Sequence, residues 1–170
     1  MTTSSATTPT TSDRIHKEVT LDAPRSRVWR ALTDVNQFNA WFGVELATPF
    51  APGVEASGKI TSRGYEHVTM QIWIETMEPE RFFSFRWHPY AIEPGVDYSA
   101  EPTTLVTFTL EDAPGGGTQL TIEESGFDAI PESRRAKAFA MNTGGWNGQA
   151  ENLRKFLAAG FAAREGGPRR

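Results

Sequence analysis

Few residues in this chain are equipped for chemistry, and their spread limits what that chemistry could be. There are three histidines, His16, His67 and His88, and no cysteine. The histidines show no HxH or HxxxH spacing, so they do not form a transition-metal site. Without cysteine there are no disulfides, thiolate zinc sites, cysteine-ligated iron–sulfur clusters or cysteine nucleophiles. No metal and no cofactor are expected. His16 and His67 fall on the polar phases of their strands and read as solvent-facing. His88 is different. It follows Trp87 at the end of an aromatic run and opens the segment HPYAIEPGVDYSAEPT, which also carries Tyr90, Asp97 and Tyr98. A loop of this length is often a lid or a binding loop. Two readings stand side by side. His88 and Tyr98 could orient a ligand hydroxyl or carbonyl at a pocket mouth, or brace the loop by hydrogen bonds.

Glu124 is the third candidate. It shares the phase of Leu120 and Ile122, which face inward. Desolvation in an oily cavity favours the neutral form of a carboxyl group, a condition for acid–base work near neutrality. A bulge at Glu123–Glu124 would instead turn it to solvent. Arg86, opposite the Phe85 and Trp87 phase, reads as a surface residue paired with an acid, or as an anion anchor. The run Gly115–Gly117 lacks the Lys and Ser/Thr of a phosphate-binding loop and joins two strands, so it is a hairpin tip.

Composition narrows the classes further. The net charge of −4 and the pI of about 5.4 give no basic balance, so a nucleic-acid partner is not expected. No basic cluster suits an anionic membrane surface, and no apolar run reaches the ~20 residues of a membrane span. The opening MTTSSATTPTTS lacks the basic and apolar regions of a secretory signal and reads as a disordered tail over residues 1–12. A cysteine-free chain fits a reducing compartment, and a cytoplasmic location is the expectation. One domain over residues 13–161 is expected, with a flexible tail at 162–170.

Periodicity supplies the elements that must hold these residues. Ile15, Val19 and Leu21 alternate with polar neighbours as a strand. Pro24 suits the first position of a short helix through Val28, Ala31 and Leu32. Asp34 is placed to cap a second helix carrying Val35, Phe38, Trp41 and Phe42, which ends at Gly43. The period then falls to two. Strands are expected at 44–48 and 54–62, and then around Met70, Ile72 and Ile74. Others carry Phe83, Phe85 and Trp87; Val106, Phe108 and Leu110; and Leu120 and Ile122. A long helix starts near Pro131 and Glu132, with Phe139, Thr143, Trp146, Ala150, Leu153 and Leu157 on one face. Gly144 and Gly145 each cost it about 1 kcal/mol against alanine. They mark either a thin spot that leaves room for a ligand or a close backbone contact with the sheet. The order is α+β: a curved antiparallel sheet covered by a long C-terminal helix, with two short helices after the first strand. A gap between sheet and helix would be walled by Trp41, Phe42, Met70, Ile72, Phe85, Trp87, Phe108, Ile122, Phe139 and Met141, with His88 and Tyr98 at its mouth. Edge strands leave a homodimer open.

Four segments in this order, VTLDAPRSRVWRALTDVNQFNAWFG, MEPERFFSFRW, LTIEESGF and GGWNGQAENLRKFL, resemble the helix-grip fold of the START-like, or SRPBCC, superfamily. The branch is the one related to the activator of Hsp90 ATPase, and the resemblance spans about residues 14–160. The superfamily includes lipid carriers, hormone receptors, aromatic cyclases, oxygenase subunits and co-chaperone domains, so the fold does not choose among them. The loop after Trp87 is also similar to that of a bacterial subgroup with members described as oxidoreductases. A reductase of that kind needs cysteine-held clusters, and no GxGxxG follows a strand. Three functions follow from the resemblance. The leading one is non-enzymatic binding of a small hydrophobic or aromatic molecule. A cyclase or dehydratase would work by proton transfer through His88, Tyr98 and Glu124. The third is an Hsp90-contacting module, although the NxNNWHW-like motif of the two-domain co-chaperone is missing here.

Overall fold

The computed structural model describes residues 13–160, so the tails expected at 1–12 and 162–170 lie outside the described residues. Strand β1 (Arg14–Leu21) is followed by helices α1 (Arg25–Thr33) and α2 (Val35–Phe42). Then come β2 (Glu55–Lys59), β3 (Thr69–Glu78), β4 (Phe82–Trp87), β5 (Thr104–Asp112) and β6 (Thr118–Ser125), and finally α3 (Glu132–Ala158). The strands form one antiparallel sheet in the order β1-β6-β5-β4-β3-β2. This is the helix-grip architecture anticipated from the order of elements.

Local chemistry explains the turns between elements. Asp34 caps α2, its carboxylate accepting from the backbone N–H of Asn36 at 2.9 Å and of Gln37 at 3.3 Å. Gly43 ends α2 at φ +88°, a conformation that favours glycine. Pro24 stands one position earlier than expected, at the N-cap of α1. The strand expected at 44–48 is not one. It makes a single bridge, Val44 to Ile60, and its backbone at Leu46 is held by the side-chain amide of Asn39, through bonds of 2.8 and 3.0 Å. The reason lies at Gly58, where a Cβ would meet the Glu45 carbonyl oxygen at 2.0 Å. The segment crosses β2 too closely to run beside it as a ladder.

The inward phase of the sheet is filled by Ile72, Ile74, Phe83, Phe85, Val106, Phe108, Leu110, Leu120 and Ile122, all fully buried or nearly so. Phe38 of α2 packs over it, edge-on to Phe85 at 6.4 Å and to Phe50 at 5.5 Å. Strand β6 has no bulge at Glu123–Glu124. Its register against β1 and β5 is continuous, and Glu124 pairs with Ile15 on one side and Val106 on the other. Helix α3 touches this surface with Ala138, Trp146, Ala150 and Leu153. Thr143, expected on the inner stripe, is exposed; its hydroxyl donates to the Phe139 carbonyl of its own helix. The inner line runs instead through Ala138, Asn142 and Trp146.

Candidate functional site

Between the open end of the sheet, the loop 88–103 and the middle of α3 lies a cavity of about 780 Å³. Four elements and the loop make it. Strands β3 and β4 contribute Met70 and Trp87, α2 contributes Phe42, and α3 contributes Met141, Asn142, Gly144 and Gly145. A Cβ at Gly144 or Gly145 would find nothing within 4 Å. The two glycines therefore mark a thin spot; they are not a close backbone contact. A smaller recess of about 90 Å³ shares Phe42, Trp87, Asn142, Gly145 and Gln149 with the cavity and is closed by Trp146. Its three rings lie in mutual edge or tilted contact, with centroids 5.7 to 6.2 Å apart.

Behind this wall sits Glu124, fully buried. Trp87 Nε1 donates to its Oε2 at 2.7 Å and Thr104 Oγ1 to the same oxygen at 2.6 Å. Trp146 Nε1 donates to Oε1 at 2.8 Å, and Asn142 Nδ2 reaches both oxygens at 3.0 and 3.1 Å. Indole and amide N–H groups are donors only. The carboxylate thus ties β4, β5, β6 and α3 together through its acceptors. Trp146 is on the inner helix face as expected; Asn142 and Thr104 are the partners that the sequence pattern missed. A polar residue on an inner helix face has no periodic signal.

The loop forms the outer wall and is pinned from two sides. Arg134, in the first turn of α3, donates to Glu101 Oε1 at 2.9 and 2.7 Å and to the carbonyls of Pro89 and Tyr90 at 2.9 and 3.3 Å. Its guanidinium also lies 4.7 Å from the centre of the Tyr98 ring. From the other side, His67 Nε2 donates to the Ile92 carbonyl at 3.0 Å. Tyr90 has φ +51°, an uncommon value for a bulky residue. Tyr98 accepts from the Glu93 N–H at 3.2 Å, so its hydroxyl braces the loop. His88 stands edge-on to Trp73 at 5.6 Å, and its Nδ1 is buried without a hydrogen-bond partner. Burial holds its pKa below the usual histidine value, and the nearby Arg134 charge acts in the same direction.

Phe42, Met70, Trp87, His88, Tyr98 and Met141 line the cavity. Trp41, Ile72, Phe85, Phe108 and Ile122 do not; they are buried in the core, and Trp41 donates its indole N–H to the Ala31 carbonyl. Phe139 packs edge-on against Phe127, outside the lining. The correction has one cause: alternation gives the inward phase of a strand but not what covers it. His67, read as merely solvent-facing, is exposed but lines the cavity. His16 is exposed as expected, between Glu18 and Glu123. Arg86 pairs with Glu75 at 2.7 Å, away from the lining. No hydrogen bond joins His88, Tyr98 and Glu124 to one another. Among the described residues there is no cluster of metal-ligating side chains, and no helix is long and apolar enough to cross a membrane.

The architecture recurs in solved structures. Protein MLL2253 from Mesorhizobium loti is similar at 26% identity and a TM-score of 0.67, over 86% of this chain and 98% of that one. DynU16, from the dynemicin biosynthetic locus, is similar at 27% identity and a TM-score of 0.66 over 87% of this chain. The match spans 48% of DynU16, about half its length. CalU16 from Micromonospora echinospora shares the fold at 24% identity and a TM-score of 0.59, over 85% of this chain and 75% of that one. No curated protein matches the sequence. The family model described as Activator of Hsp90 ATPase homolog 1-like protein matches residues 22–158, and the chain belongs to that family.

Proposed function

We propose that this protein binds a small hydrophobic or aromatic molecule in the cavity between the sheet, the loop 88–103 and α3. The observation that carries the reading is where its exposed apolar surface lies. Tyr65, Val96 and Met141 are the large hydrophobic side chains exposed among the described residues, and all three line this cavity. Exposed apolar surface gathered at one place marks a binding site. Its volume falls in the range of small-molecule sites, roughly 300–1,000 Å³. Gly144 and Gly145 support the same reading, because two helix-weakening residues leave room there and nothing else fills it. DynU16 comes from a biosynthetic locus, a setting in keeping with a small-molecule ligand. A cytoplasmic location belongs to this proposal and rests on the cysteine-free composition.

The test is native mass spectrometry of the protein from its own host, beside the Gly145→Leu variant. The expected result is an added mass on the wild type that is lost on denaturation and is missing from the variant, whose new side chain occupies the cavity. Equal added mass on both would place the molecule elsewhere. No added mass, together with an unchanged melting temperature in the presence of small aromatics, would overturn the reading.

A further inference from the structure

Apart from His67 and His88, the ionisable side chains that line this cavity, tyrosines aside, are acidic. Its lining includes the carboxylates of Glu93 and Asp97 and no lysine or arginine. Behind the wall is Glu124, fully buried, whose partners are two indoles, an amide and a hydroxyl. Among the described residues no cation pairs with it. A buried carboxylate usually has a countercharge, because desolvating an unpaired one is costly. Here four donor groups carry that burden, and two of them, Trp87 and Asn142, line the cavity in front of it. Arg134, the nearest strong cation to the loop, is occupied by Glu101 at 2.7 Å.

The two indoles transmit that charge. Trp87 and Trp146 both donate N–H to Glu124, and both line the small recess with Phe42. Aromatic faces carry negative potential, and an indole that donates to an anion is polarised so that its face becomes more negative. Such faces attract weakly hydrated organic cations, most strongly where water is displaced. Gly145 leaves the approach to them open.

We infer that the molecule taken by this cavity is an organic cation, an aromatic or alkyl ammonium whose charged end lies against Trp87, Trp146 and Phe42. Its apolar part would lie toward Met70 and Met141. This rests on the binding reading above and adds the sign of the ligand's charge.

Calorimetric titration of the full chain with two isosteres tests it: phenyltrimethylammonium, and tert-butylbenzene, which replaces the charged nitrogen by carbon. An uncharged apolar cavity prefers the neutral molecule, since the cation must shed water. The expected result is the reverse, with the cation bound at least about tenfold tighter. Glu124→Gln is expected to abolish that preference. Should this variant fail to fold, the exposed pair Glu93→Gln and Asp97→Asn is expected to weaken the cation while leaving the neutral probe unchanged. Tighter or equal binding of tert-butylbenzene would overturn the inference and leave the cavity reading standing. A cation preference that survives the variants would overturn the assignment to these carboxylates. Binding of neither probe would overturn both readings.

Discussion

Phe85 and Trp87 lie two residues apart on β4 and point the same way, yet one is sealed in the core and the other faces a cavity. The difference comes from the layer above them. Phe85 is covered by α2, with Phe38 edge-on to it, and is flanked within the sheet by the rings of Phe83 and Phe108 at 5.9 and 6.1 Å. Above Trp87 the helix offers Gly145, and the space continues. A sheet of uniform pattern thus becomes a solid half and a hollow half according to its cover. Stability is expected to reside in the first and recognition in the second.

The sharpest way to break this division is a pair of truncations. Phe108→Ala, in the solid half, is expected to lower stability by about 3–5 kcal/mol, as for other large-to-small changes at fully buried positions. Met141→Ala, on the rim of the hollow half, is expected to stay within about 0.5 kcal/mol. Chemical denaturation measures both, and similar losses would erase the distinction. A smaller effect comes from Gly145→Ala. The added methyl meets nothing within 4 Å, and helix propensity favours alanine by about 1 kcal/mol. Thermal melts should show a more stable protein, and titration a weaker hold on the ligand. A gain in both would mean that the glycine does not serve the cavity.

The smallest expected effect concerns two histidines, one in each setting. His88, in the hollow half, has its pKa lowered from 6.5 by burial. Its contribution to stability is complete above that value and is lost as the pH falls through the lowered one. His16, on the outer face, is raised from 6.5 by its hydrogen bonds to Glu18 and Glu123. Its contribution is complete below 6.5 and fades as the pH rises through the raised value. Melting curves of His88→Gln and His16→Gln against pH should therefore diverge from wild type on opposite sides. Divergence on the same side would show that one environment is misassigned.

Most of the strands and all three helices are legible in the sequence, because period two and period 3.6 need only neighbours along the chain. The cap at Asp34, the stop at Gly43 and the inward phase of Glu124 are local for the same reason. What was not legible depends on residues far apart. The donors to Glu124 lie 37, 20, 18 and 22 positions away, and no local rule joins an inward glutamate to two tryptophans and an asparagine. The same blindness put Phe108 and Ile122 on the cavity wall, and it made 44–48 a strand although a close crossing at Gly58 prevents it.

Arg134 bears on time as well as on place. One guanidinium holds Glu101, two backbone carbonyls and the face of Tyr98, so any path that lifts the loop from the cavity must release them together. For a ligand that can enter only when the loop lifts, such a latch would slow arrival and departure alike, and the occupied fraction of the protein would follow a running average of ligand concentration.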